Sequence, residues 1–352
     1  MTGLRQAWPR PTRPRPVVFI GAGAIVRGSH LPAYARIGVP SAGVYDLSAD
    51  AARSTADAFS IPRVFDTIDE AAAAPGVVFD VAVPGDAITG VLARLPAGSP
   101  VLIQKPMGQN LAAAREILAL CRERRLVAAI NFQLRFSPNI LAIQDLIARG
   151  FLGTITDIEV RISVRQPWEN WPFLRGIPRL EVLYHSIHYL DTIRRLAGEP
   201  GGAYCKAVGH PDLPEFGDPR SSIILDYRNT IRCSLALNHT HRHDMTHRAS
   251  WMKVEGTRGS AIATMGVNLE YPKGLPDRLE IAEVGGGWTE VPLRGSWFTE
   301  AFEGPMSNMQ RVVTGEDPAL VSPVEDAIRT MAVVEACYQS SAAGGTPIPD
   351  VE

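Results

Sequence analysis

The stretch "VVFIGAGAIVRG", residues 17–28, most constrains what this chain can fold into. Four apolar residues in a row read as a short buried strand, the glycines at 21 and 23 as a tight turn, and the residues after them as the start of a helix. Such a turn lets the backbone approach a pyrophosphate at the helix N-terminus. Gly21, Gly23, Ala24 and Ile25 are therefore candidate dinucleotide contacts. The third glycine of the G-x-G-x-x-G pattern is replaced by Val26, and Gly-x-Gly by itself serves a plain tight turn equally well. Asp46 supplies a second signal. It ends the strand "AGVYD" about 25 residues after Gly21, where a carboxylate can accept hydrogen bonds from the adenosine ribose hydroxyls. An acid there repels a 2'-phosphate, so NAD is expected over NADP.

The alternation continues beyond this unit. "TIDEAAAA", "AITGVLARLPAG" and "AAAREILALCRERR" read as helices, and "VVFDVAVP", "PVLIQKP" and "LVAAINFQLRF" as strands, the pattern of a doubly wound parallel sheet. Past about Arg135 the texture changes. After a helix around "NILAIQDLIARG", the segments "ITDIEVRISVRQ", "SSIILDYRNTIRCSLALNHTH", "ASWMKVEGTRGSAIATM" and "RLEIAEVGGGWTEVPL" read as strands of a large, mostly antiparallel sheet. The expected class is α/β: a Rossmann domain over 17–134, then an α+β substrate-binding and oligomerisation domain over 135–352. Its C-terminal helix, 321–342, is a candidate to pack back on the first domain. Residues 1–16, rich in proline and arginine, are expected to be a flexible arm.

Composition narrows the partners. With 20% charged residues and a formal net charge of −2, the chain lacks the basic excess that attracts nucleic acid or anionic lipid. No apolar run reaches the roughly 18 residues needed to cross a bilayer, and the first residues lack the apolar core of a secretory signal. The expected location is cytoplasmic. The four cysteines are scattered without a C-x-x-C pair, which suits reduced thiols better than a disulfide frame or a cysteine-built zinc site.

Three segments hold candidate chemistry. In "EVLYHSIHYLDTIRRLAGEP", helical spacing places Tyr184, His188 and Asp191 on one stripe and Leu183, Ile187 and Leu190 on another. A histidine in such a helix can be an acid or base, or simply a hydrogen-bonded structural residue. "RQPWENWPFLRG" gathers Trp168, Asn170 and Trp171, whose rings and amide suit stacking on a sugar or, equally, anchoring a loop. In "LNHTHRHDMTH", His239, His241 and His243 alternate as they would on one strand face. Alternate residues of a strand lie about 7 Å apart, which makes a shared metal ion awkward. His239 and His241 are read as substrate-facing, and no metal is expected.

Several motifs then line up in order. "IQKPMGQN", "NFQLRFSP", "GFLGTI", "VEGTRGS" and "IHYLDTIRRLAG" together resemble the glucose-fructose oxidoreductase, inositol dehydrogenase and MocA family from Val17 to about Ser341. The resemblance implies a nicotinamide cofactor, a sugar or polyol substrate, and homodimers or homotetramers built by packing the second-domain sheets. It implies that Lys105 holds the substrate hydroxyl and that His188 exchanges its proton. Pro84, Gln104 and Lys105 join the expected cofactor contacts, and Arg135 and His185 the expected substrate contacts. Two positions depart from the family. Gln104 stands where the family has glutamate, and Tyr184 stands where it has aspartate, which makes Tyr184 a third catalytic candidate. The expected function is an NAD-dependent oxidoreductase acting on a secondary alcohol of a sugar, cyclitol or sugar acid. The alternatives are a lyase, hydrolase or epimerase that retains and recycles NAD, and a dinucleotide-binding sensor that lost catalysis.

Overall fold

The structure, a computed structural model, describes residues 3–349, so positions 1–2 of the expected arm and 350–352 of the expected second domain lie outside the described residues. The chain forms two compact units. The first runs to Arg149 and takes in Pro276–Leu279 and Glu290–Met331. The second holds Gly150–Leu275, Glu280–Thr289 and the chain from Ala332 onward. The first compact unit runs on past residue 135 to Arg149, because the helix Pro138–Ala148 buries Ile140, Leu141, Ile143 and Leu146 within it.

The first unit is built on five parallel strands: β1 Val17–Ile20, β2 Ser41–Tyr45, β3 Val78–Val81, β4 Pro100–Gln104 and β5 Val127–Asn131, in the order β2-β1-β3-β4-β5. Every residue of β1 and β3 is buried, as expected of strands covered on both faces. In this strand order the chain reverses direction across the sheet between β1 and β3, and open α/β sheets bind their ligands at such a point.

Two helices of this unit escape the sequence pattern. Ala49–Phe59 is rich in alanine and is started by Ser48, whose hydroxyl accepts the Ala51 N–H. Glu303–Val313 carries Gly304 and Pro305, which read as breakers. Proline is tolerated in a first helical turn, and the glycine is needed there, since a Cβ on Gly304 would lie 2.4 Å from the Phe136 ring. This second helix brings Met306 and Met309 into the core beside Phe19, Tyr34 and Leu102.

The N-terminal segment corrects the expectation of a flexible arm. The Arg5 N–H donates to Asp145 (3.0 Å), Trp8 Nε1 donates to Asp317 (2.8 Å), and Arg15 exchanges two backbone bonds with the Gln310 amide (2.8 and 2.9 Å). Trp8 also packs edge-on against Phe136 at 5.3 Å. Proline-rich backbone forms no ladder, and here side chains of the first unit satisfy it instead.

A second sheet has eight strands in the order β13-β12-β11-β10-β6-β9-β8-β7, and β6 to β11 lie wholly in the second unit. Its strands are β6 Ile155–Ser163, β7 Gly202–Val208, β8 Arg220–Asp226, β9 Arg232–Asn238, β10 Ala249–Gly256, β11 Gly259–Thr264, β12 Arg278–Glu283 and β13 Thr289–Glu290. Burial alternates along β8 to β11, so one face packs and the other is open. Only β6 and β9 pair in parallel among the registers of β6 to β11. Among the described residues, no helix is long and apolar enough to cross a membrane.

Candidate active site

In the first unit the loops leaving β1, β3 and β4 meet. Gly21 has φ +108°, and a Cβ there would lie 2.3 Å from the Ala82 carbonyl oxygen, so only glycine lets the two loops touch. Gly85 lies against Gly108 in the same way, with a hypothetical Cβ 3.2 Å from its carbonyl carbon. Above this base, Gly23 and Ala24 are exposed, and a Cβ on Gly23 would meet nothing within 4 Å. The open space over the turn suits a bulky anion held by backbone. Pro84 lies exposed on the neighbouring loop, and Ile25 is half-buried. Gln104 is half-buried, and its Oε1 has no hydrogen-bond partner among the described residues.

Asp46 does more than the sequence suggests. One carboxylate oxygen accepts the Ala22 N–H at 2.7 Å and the other the Ser48 N–H at 2.8 Å. The acid therefore braces the glycine turn and still keeps lone pairs for further donors. Lys105 follows β4 and is half-buried. Desolvation lowers its pKa to about 8.

In the second unit, Tyr184 and His185 lie in a π-helical turn, Val182–Ser186, that runs into the α-helix Ile187–Ala197 carrying His188 and Asp191. The wider turn alters the spacing across the junction, so the stripe expected from α-helical geometry is not continuous there. Such π turns recur at functional sites. His185, His188 and Asp191 are 8%, 5% and 1% exposed, while Tyr184 is half-buried with Phe173 edge-on at 6.1 Å.

Several expected substrate contacts are placed otherwise. Arg135 is 2% exposed, donates to Asp326 at 2.6 Å and to the Val321 carbonyl at 2.8 Å, and so works inside the first unit. Trp168 is a core residue with Leu174, Leu180 and Phe216, whereas Trp171 stays half-buried beside Tyr271 at 5.5 Å and Asn170 is exposed. The histidine series does not form one strand face, because β9 ends at Asn238. His239 turns inward at 1% exposure, His241 is half-buried near Ser163, and His243 is exposed. Glu181, which the sequence did not single out, is fully buried under this region. It receives the hydroxyls of Ser186 and Ser221 and lies 3.3 Å from His239 Nε2. Ser221 lies on β8, remote in sequence from Glu181, so no local spacing could reveal that partnership.

Comparison with known proteins settles the class. Residues 15–132 match the oxidoreductase-family NAD-binding Rossmann fold, and residues 144–349 match the same family's C-terminal alpha/beta domain. The chain belongs to the Gfo/Idh/MocA oxidoreductase family and carries its NAD-binding domain. It is 25% identical to D-apiose dehydrogenase of Paraburkholderia graminis over 93% of this chain and 88% of that enzyme. It is 35% identical to trans-1,2-dihydrobenzene-1,2-diol dehydrogenase of Bos taurus, over 60% of this chain and 62% of that one. Among solved structures, an Agrobacterium radiobacter oxidoreductase in complex with NAD+, L-tartaric acid and magnesium superposes with TM-score 0.79 at 18% identity, covering 94% and 97% of the two chains. Aldose-aldose oxidoreductase of Caulobacter crescentus, complexed with glycerol, superposes with TM-score 0.77 at 18% identity, covering 95% and 99%. These two likenesses concern the fold alone.

Proposed function

We propose that this protein is an NAD-dependent dehydrogenase acting on a secondary alcohol of a sugar, cyclitol or sugar acid. The observation that carries the reading is Lys105, a desolvated lysine at the end of β4 beside the glycine loops. Relatives that include a D-apiose dehydrogenase support the substrate class. Bound nicotinamide supplies the hydride acceptor. Lys105 contributes a positive charge that stabilises alkoxide character developing on the substrate oxygen, and His188 takes up the hydroxyl proton. Tyr184 brings a phenol to the position of the family aspartate, where it hydrogen-bonds the substrate or shares in the proton transfer. Trp171, Asn170, His185 and His241 are the candidate substrate contacts. Accumulation of NADH with a panel of sugars and polyols tests this reading. Turnover without net NADH would favour a redox-cycling lyase or epimerase, and NAD binding without turnover a sensor.

NAD is preferred over NADP because Asp46 serves the ribose side of the turn, and the nearby Arg53 is paired with Asp50 at 2.6 Å. Asp46→Ala should weaken NAD about 10- to 100-fold, the scale of about 1.5–3 kcal/mol for hydrogen bonds to a charged group. NADP binding should fall less. Competitive titration checks both, and tighter binding of NADP by the unaltered protein would contradict the preference.

The lowered pKa of Lys105 sets a pH limit. Its charge is present below about 8 and lost above it, so kcat/KM for alcohol oxidation should fall as pH rises through that region. Lys105→Arg should move this limb upward, because a guanidinium stays charged. An unaltered rate rising steadily to strongly alkaline pH would show that the lysine charge is not required.

The open face of the second sheet supports a homodimer or homotetramer. Tyr204 on β7 and Ile224 on β8 are cross-strand partners, 64% and 53% exposed, and such an apolar pair favours a covering surface. The four cysteines are free thiols, which fits a cytoplasmic setting.

A further inference from the structure

The structure places two imidazoles and a carboxylate together in the second unit, from positions far apart in sequence. Glu181 immediately precedes the π turn, His185 lies within it, and His239 follows β9. One ligand atom from each lies within 4.8 Å of the other two. The His185 and His239 rings have centroids 4.0 Å apart at 60°, and His239 Nε2 is 3.3 Å from Glu181 Oε1. Glu181 and His239 are 0% and 1% exposed, and His185 is 8% exposed.

From this arrangement the geometry points to a divalent transition-metal site, best suited to zinc, with Glu181, His185 and His239 as ligands. Two imidazoles and one carboxylate form a donor set that zinc accepts when a fourth position is kept for water or substrate. Imidazole nitrogens favour zinc over magnesium or calcium, which prefer oxygen. Zinc bonds to nitrogen and oxygen are about 2.0–2.2 Å long, so separations up to 4.8 Å close around an ion with small side-chain movements.

The surroundings resemble those of a built ligand. The hydroxyls of Ser186 and Ser221 donate to opposite oxygens of Glu181 and fix the carboxylate plane, as outer-shell groups do around metals. Trp168 packs edge-on against His239 at 5.5 Å and, with Leu180, keeps that side apolar. Binding offsets the Glu181 carboxylate charge, leaves one positive charge that a bound hydroxide or anionic ligand in the fourth position would balance, and displaces the hydrogen bond between His239 and Glu181. The objection from strand spacing does not apply, because only His239 comes from the histidine series and the other ligands come from a helix.

The test uses the full chain and reads metal rather than dehydrogenase activity, so its outcome is independent of the proposed reaction. After chelator treatment, the protein should take up one zinc or cobalt ion per chain by mass spectrometry, and the cobalt form should show the intense d–d absorption of a low-symmetry four-coordinate site. His185→Gln and His239→Gln should each weaken cobalt binding by more than about 100-fold, beyond the roughly 10- to 100-fold typical of outer-shell losses. Substoichiometric uptake, or uptake unchanged in both variants, would overturn the assignment. Should the variants fold poorly, zinc-edge X-ray absorption on the unaltered protein still decides: imidazole scattering from two histidines supports the site, and its absence refutes it.

Discussion

His188→Ala is expected to lower turnover about 100- to 10,000-fold, the range for removing a positioned acid or base. The histidine sits in the first turn of Ile187–Ala197, just after the π turn, and is only 5% exposed. A side chain held so firmly meets the positional demand of proton transfer. NAD affinity should stay nearly unchanged, because the glycine loops and Asp46 belong to the first unit. A purely structural histidine would behave differently, lowering the unfolding midpoint and soluble yield while sparing turnover per folded molecule. Steady-state kinetics with an independent cofactor titration separates the two. A well-folded variant that keeps more than about a tenth of turnover, with chemistry rate-limiting, would remove His188 from the acid/base role and make Tyr184 the next candidate.

The largest stability effect is expected at Asp80, in the middle of β3. Its carboxylate receives the Tyr34 hydroxyl and His30 Nδ1, the latter at 3.0 Å, while His30 Nε2 lies 3.3 Å from the Asn131 amide. Asp80 and Tyr34 are 1% exposed and His30 is 0% exposed. Burial, and then the neighbouring Asp80 charge, hold the Tyr34 hydroxyl well above its ordinary pKa. Asp80→Ala strands a phenol and an imidazole in the parallel sheet's core, at a cost of about 3–5 kcal/mol. Asp80→Asn keeps the shape and one acceptor and should cost less. Equilibrium urea unfolding measures both, and a loss under about 1 kcal/mol for the alanine variant would show that water or repacking satisfies the cluster.

The parallel half of the fold is legible because its strands are continuous apolar runs separated by glycine and proline, and the pattern needs no tertiary information. Ala49–Phe59 and Glu303–Val313 are not, since one has a weak apolar stripe and the other opens with residues that usually end helices. The N-terminal segment misleads for a related reason: its backbone is satisfied by Asp145, Gln310 and Asp317, partners remote in sequence. The site divides in the same way. Gly21 and Asp46 carry signals fixed to strand ends, so local pattern finds them, whereas the role of Lys105 is what the family resemblance implies. Arg135 and Trp168 have chemistry that suits a substrate, and only packing shows that they serve the interior. Glu181 carries no local signal at all, because what distinguishes it is convergence with Ser221 on β8 and His239 just after β9, both remote in sequence.

Hydride transfer itself is best tested with a substrate from the polyol panel deuterated at the carbinol carbon. The account predicts that the label appears at C4 of the reduced nicotinamide, with a primary isotope effect on the unaltered protein and loss of the transfer in His188→Ala. Turnover that retains the deuterium on the organic product, with no label passing through the cofactor, would contradict the dehydrogenase reading.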